Sequence, residues 1–429
     1  MEKQRTLKNG IELYSYENPS VHGFFISLFL KAGSMYERED ESGITHFLEH
    51  VSIRNVNALM NGALYPTLDK YGIEFNASTY NEMVQFYISG AGKNFKLGAE
   101  ILSHVISPIV LTAAEIDTER QRIKAEIREN DENTSLVAFT NAIVHKGTTL
   151  ASSITGTAGS TSRITRTRLE AYRRRVFTKE NLFLYVTGSF DDSDLDALAD
   201  AFGERELYSG EVHENIAPVP LDFGKRAPHV HIKNADFTMA RFTFDMDMSR
   251  VGGCECDLIY DMLLGGYSSR FFVEMSERRG LFYDITGNVE RYKNIGTFAF
   301  SFEVRADMLA ESVRCALGIL LELMRVTPSD DECMKAGYVD NAAMLLDDSR
   351  ELNFTLAYDS HIMDERYASL DERTEKYRRI DGQMIRSAAI AIFAPENLTL
   401  TLKGRKKRIK TDELDGILAW YKKAFYEEK

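Results

Sequence analysis

Apolar residues spaced two apart predict short strands along this chain, and apolar residues spaced three or four apart predict helices between them. Residues 24–31 (FFISLFLK) and 240–247 (ARFTFDMD) alternate apolar with other side chains, as strands with one face in a core do. Long helices are expected at 113–130 and 308–326, and acidic helical segments at 192–202 and 412–421. At 46–51, HFLEHV lets Phe47, Leu48 and Val51 bury a helix while His46, Glu49 and His50 share another side of it.

The pattern runs twice. FTKENLFLYVTG at 177–188 returns as FAPENLTLTLKG at 393–404, an offset of 216 that is close to half of the 429 residues. Residues 24–31 lie over 240–247 at that offset, and an acidic helical segment follows each ENL strand. Pro218, Pro220 and Pro228, out of eight prolines in the chain, follow Ser209-Gly210 and mark a break. The expected organisation is a first domain at 1–212, a linker at 213–228 and a second domain at 229–429. Hairpin-like strand spacing beside long helices favours an α+β fold of two duplicated domains, each a mixed or antiparallel sheet with helices packed on one face.

Composition narrows the function. With 44% hydrophobic residues, 25 Phe and 20 Tyr the chain can build sizeable cores. It contains no run of about 18 apolar residues, so no membrane span is expected. A strand-like pattern begins directly after residues 1–5, which leaves no room for a leader and predicts a cytoplasmic location. Four cysteines (Cys254, Cys256, Cys315, Cys333) make neither a disulfide framework nor a four-ligand zinc pattern. A net charge of −13 argues against nucleic-acid binding, and the basic run 403–410 reads as a solvated strand end or loop.

The chemistry is concentrated at His46-Phe47-Leu48-Glu49-His50. On a helix His50 falls about 40° from His46 and Glu49 about 60° to the other side, so two imidazoles and a carboxylate point one way. The carboxylates of the polar run 38–43 in front of it suit the positive end of a helix. The repeat places Met262 opposite His46 and Gly266 opposite His50, so only the first half can carry a metal. Catalytic zinc usually takes three protein ligands and keeps one position open, so a third ligand is required. Residues 112–127 (TAAEIDTERQRIKAEI) read as a helix with Thr112 as N-cap and Glu115 in the capping-box position. Glu119 and Glu126 lie two turns apart on one face of it: one can ligate while the other orients a histidine, and a solvated charged helix fits the periodicity equally well.

These residues resemble the M16 family of zinc metallopeptidases, the pitrilysin or inverzincin family, and most of all its half-length bacterial and processing-peptidase branch. That family follows H-x-x-E-H after some 70 to 80 residues with a helix carrying the third ligand. Glu126 lies 76 positions after His50, and Glu119 matches the family's supporting glutamate. The likeness continues through Leu7-Lys8-Asn9-Gly10, Ala32-Gly33-Ser34, Glu37, Asn76-Ala77-Ser78-Thr79, Glu82, Glu180-Asn181-Leu182, Gly188, Gly266-Tyr267-Ser268-Ser269-Arg270-Phe271 and Gly280-Leu281-Phe282-Tyr283.

The resemblance implies an endopeptidase acting on peptides or unfolded segments, with one zinc per chain held by His46, His50 and Glu126, and Glu49 as general base. It implies substrate bound as an added strand along Asn76, Ala77 and Ser78. Active members also use a Tyr and an Arg seven residues apart; Tyr283 matches the tyrosine, but Ser276 stands where the arginine belongs, with Arg278 and Arg279 nearby. Half-length members work as two-chain clamshells. A heterodimer whose motif-less partner supplies the Arg/Tyr pair is therefore expected, with a homodimer as the competing version. The other reading is a non-catalytic structural or peptide-binding subunit.

Overall fold

The computed structural model describes residues 2–129, 135–218, 229–232, 237–282, 284–325, 328–367 and 369–428. Its strands are β1 (Lys3–Thr6), β2 (Glu12–Glu17), β3 (Gly23–Leu30), β4 (Glu74–Thr79), β5 (Val84–Ala91) and β6 (Leu182–Gly188) in one sheet. A second sheet contains β7 (His229–Ile232), β8 (Thr238–Asp247), β9 (Ile285–Arg291), β10 (Ile295–Val304) and β11 (Leu398–Lys403). The first sheet runs β1-β2-β6-β3-β5-β4 and the second β7-β11-β8-β10-β9. Without β1 the two orders superimpose strand for strand. Both contain one parallel pair, β2 with β6 and β7 with β11, and all other pairs are antiparallel. The repeat expected from the sequence is thus a repeat of topology.

Each sheet is built around the strand of most regular alternation. Along β3, Phe24, Ile26, Leu28 and Leu30 enter a core formed with the helices on one face, while Phe29 packs in a separate cluster on the other. The expected helices are present as Ala113–Glu129, Leu309–Glu322 continued by a 3-10 turn Leu323–Arg325, Asp192–Gly203 and Thr411–Glu428. Among the described residues no helix is long and apolar enough to cross a membrane.

The chain forms two compact units, and neither is a continuous stretch. The first comprises 1–132, 147–218 and 343–370, the second 133–146, 219–342 and 371–429. Each half lends one helix to the other unit. Leu136–Val144 lies on the second sheet, where Thr140 Oγ1 and Thr401 Oγ1 are 2.6 Å apart. Ser349–Ala357 lies on the first, at nearly the same offset in the repeat. These helices cover the face opposite the main helical layer, so both faces of each sheet are protected. On the first sheet Leu352 and Leu356 pack with Tyr14, Phe29, Phe183 and Tyr185, and a buried polar set closes the contact. Ser27 Oγ donates to Asn353 Oδ1 at 2.6 Å, Gln85 Nε2 donates to Ser27 Oγ at 2.9 Å, and Asn353 Nδ2 donates to the Tyr185 carbonyl at 2.9 Å.

Candidate metal centre

The motif lies on the helix Ile44–Leu59 of the first unit. Phe47, Leu48 and Val51 are buried to 1% exposure or less, which fixes the rotation of the helix and aims His46, Glu49 and His50 at a second helix, Ala113–Glu129. That helix begins with the expected reciprocal cap. Thr112 N–H donates to Glu115 Oε2 at 2.8 Å and Glu115 N–H to Thr112 Oγ1 at 3.3 Å. Two turns on, Glu126 stands with one carboxylate oxygen 3.6 Å from His46 Nε2 and the other 3.5 Å from His50 Nε2. His46, His50 and Glu126 form the one group among the described residues whose His, Cys, Asp or Glu donor atoms could share an ion, all within 4.8 Å of one another.

These separations fit a shared zinc. Two donors at about 2.0 to 2.1 Å from a tetrahedral zinc stand about 3.4 Å apart, whereas a direct N–H···O hydrogen bond would bring them to about 2.9 Å. Glu119 takes the other role open to it. Its carboxylate is 1% exposed, faces His50 Nδ1 at 3.6 Å, and accepts from Arg54 at 2.8 Å and from Arg122 at 3.4 Å. His50 therefore points one ring nitrogen at Glu126 and the other at Glu119. His46 has no such support: its Nδ1 is buried without a hydrogen-bond partner among the described residues.

The electrostatics follow from burial and these pairings. Burial, with the His50 charge nearby, pushes His46 down to about 3 and keeps it a neutral donor. Burial also acts to lower His50, but the Glu119, Glu49 and Glu126 carboxylates outweigh it and raise the ring. Burial raises the Glu49 carboxyl against the opposing hydrogen bond from Thr79. In Glu119 the effect of burial is overcome by His50, Arg122 and Arg54, so this carboxyl lies below the ordinary range.

Two partners of the site lie outside the motif. Thr79, last residue of β4, donates its hydroxyl to Glu49 Oε2 at 2.5 Å. Glu37 accepts the Gly43 and Thr45 backbone N–H groups, both at 2.9 Å, at the start of the motif helix. The carboxylates of 39–41 do not reach that helix end: Glu41 accepts the Arg38 N–H and pairs with Arg175, and Arg168 holds Asp40. Glu37 was visible in the sequence only as part of the family resemblance, because a carboxylate six residues before the N-cap Gly43 matches no capping spacing.

The strand expected to bind substrate is β4, at the edge of the first sheet. Asn76 Oδ1 accepts the Ala77 N–H at 2.9 Å, and Ser78 continues the strand toward Thr79. A cleft of about 580 Å3 beside the metal group is walled by Glu49, His50, Arg54, Asn57, Tyr65 and Asn76. Tyr283 lies outside the described residues. Ser276 lies in a π-helical turn, Phe272–Glu277, where Arg278 and Arg279 both pair with Glu274.

The insulinase (peptidase family M16) model matches residues 13–158, and the model of the peptidase M16 inactive domain matches 163–336. The chain belongs to peptidase family M16. An uncharacterized zinc protease of Rickettsia felis is 26% identical over 306 residues, covering 71% of this chain and 73% of the relative. An uncharacterized zinc protease of Mycobacterium tuberculosis is 23% identical over 340 residues, covering 77% and 76%. A protease from Helicobacter pylori has the same fold, with a TM-score of 0.82 at 16% identity over 94% of this chain and 99% of that one. The two M16 models divide the chain as the chemistry does, because the metal group falls wholly within the first match and the inactive-domain match spans β8 to β10.

Proposed function

We propose that this M16 protein is a zinc-dependent endopeptidase that hydrolyses peptides or unfolded segments. The observation that carries the reading is the pair of separations, 3.5 and 3.6 Å, between the Glu126 oxygens and the two histidine Nε2 atoms. His46, His50 and Glu126 hold the ion, and Glu119 orients His50. Zinc supplies Lewis acidity to an attacking water and to the scissile carbonyl. Glu49 takes the proton from the water and returns it to the leaving amine. Thr79 fixes the rotamer of Glu49 through its hydrogen bond. An extended peptide pairs with the open edge of β4 at Asn76, Ala77 and Ser78, so recognition rests on main-chain hydrogen bonds and is broad.

The test is metal analysis and cleavage of an unfolded protein by the wild type and Glu49→Gln. About one zinc per chain in both, with activity at least a hundredfold lower in the variant, is the expected result. Equal activity in both refutes the role of Glu49. The active assembly is proposed to be a dimer, preferably a heterodimer with a motif-less M16 relative that brings the Arg/Tyr pair. Ser276 favours this arrangement, and it equally favours the second reading of a subunit that binds peptide without cutting it. Zinc bound at full occupancy with no cleavage under any pairing would select that second reading.

A further inference from the structure

The motif helix starts on a residue that cannot cap it. Gly43 has φ +83°, and a Cβ there would lie 2.5 Å from the Thr155 carbonyl oxygen and 2.9 Å from Gly156 Cα. The position is closed to any side chain, including the Ser, Thr, Asp and Asn that ordinarily satisfy the first N–H groups of a helix. The Glu37 carboxylate supplies what Gly43 lacks: it is 7% exposed and receives the N–H of Gly43 at 2.9 Å on one oxygen and that of Thr45 at 2.9 Å on the other. A second tether joins the same turn, since Thr45 Oγ1 lies 2.6 Å from the hydroxyl of fully buried Tyr172. The next residue in the chain is His46, the one histidine of the metal group whose second nitrogen has no hydrogen-bond partner among the described residues. His50 is aimed by Glu119; among the described residues no such partner aims the Nδ1 side of His46, which rests on the turn that carries it.

We infer that Glu37 is a positioning residue of the metal centre, acting through the first helical turn to hold His46 in place where His50 is held by Glu119. The inference rests on the zinc reading and extends it to a residue outside the ligand set. Glutamine at 37 keeps one acceptor oxygen but turns an NH2 group toward the other N–H, so the turn loses one bond and gains a donor-to-donor contact. Aspartate keeps both oxygens and reaches less far.

Zinc dissociation constants of the purified chain, measured by chelator competition for the wild type, Glu37→Gln and Glu37→Asp, test this. They are read alongside metal-free melting temperatures and the visible spectrum of the Co2+ forms. The expected result is zinc binding weakened about tenfold or more by Gln and less by Asp, as for loss of other partners that orient ligands. The Co2+ bands should shift in Gln while melting temperatures move by only a few degrees. If Glu37→Gln fails to fold, Glu37→Asp decides by the same two readouts. Unchanged zinc affinity and an unchanged Co2+ spectrum in a wild-type-like background overturn the inference and leave the zinc reading intact. A wild-type chain that takes up no zinc overturns the zinc reading and this inference with it.

Discussion

Glu119 and Glu126 show how two residues of one type acquire different chemistry seven positions apart. Glu126 is partly exposed and meets both Nε2 atoms, whereas Glu119 is 1% exposed and compensated by Arg54 and Arg122. Glu119→Gln should weaken zinc binding about 10- to 100-fold without abolishing it, and Glu126→Gln should cost more, because one removes the partner of a ligand and the other a ligand. Isothermal titration with zinc ranks the two. Glu37 makes a separate prediction about the metal-free protein. Burial raises its carboxyl from 4.5 to about 7 against the Thr45 and Gly43 hydrogen bonds, with the Glu41 charge adding to the rise. A raised folded pKa means the folded state holds the proton more tightly than the unfolded chain. The contribution is therefore fully present below about 4.5 and is lost as pH rises to about 7. Chemical denaturation of the metal-free chain across that window should show wild-type stability falling more steeply with pH than that of Glu37→Gln.

At the level of elements, the motif helix and the exchanged helices illustrate what pattern can and cannot reveal. Phe47, Leu48 and Val51 announced the buried face of the helix by their spacing alone, since 3.6-residue periodicity is a local property. The need for glycine at position 43 was not legible, because it comes from the approach of Thr155 and Gly156, more than a hundred residues away. Gly43→Ala should destabilise the protein by about 2 to 4 kcal/mol, from the left-handed backbone and the forced separation of the two segments together, and urea unfolding measures it. The exchange of Ser349–Ala357 onto the first sheet was equally hidden, since nothing in an amphipathic helix names the sheet that will receive it. Asn353 pins this helix through Ser27 and the Tyr185 carbonyl. Asn353→Ala should cost about 1 to 3 kcal/mol by leaving those groups unpaired in a closed interior, again read by urea unfolding.

For the whole molecule, the decisive experiment concerns assembly. Ser276 in place of the expected arginine predicts weak peptidase activity from the lone purified chain and a gain of at least tenfold on adding a motif-less M16 relative that carries the Arg/Tyr pair. Strong activity from the lone chain, with size-exclusion chromatography reporting a homodimer, would sink the heterodimer. The duplicated α+β architecture and the confinement of the metal group to the first half could be read in advance, because a repeat of strand and helix periods survives in the residues themselves. The pairing of His46 with His50 was equally legible, since helical geometry alone puts residues four apart on one side. Only the tertiary structure decided that Glu126 faces both imidazoles while Glu119 supports one, that Thr79 holds Glu49, that Glu37 caps the motif helix, and that each half lends a helix to the other unit. Each of those outcomes joins groups far apart in sequence, and their distances are set by how sheets and helices pack, which no local period encodes.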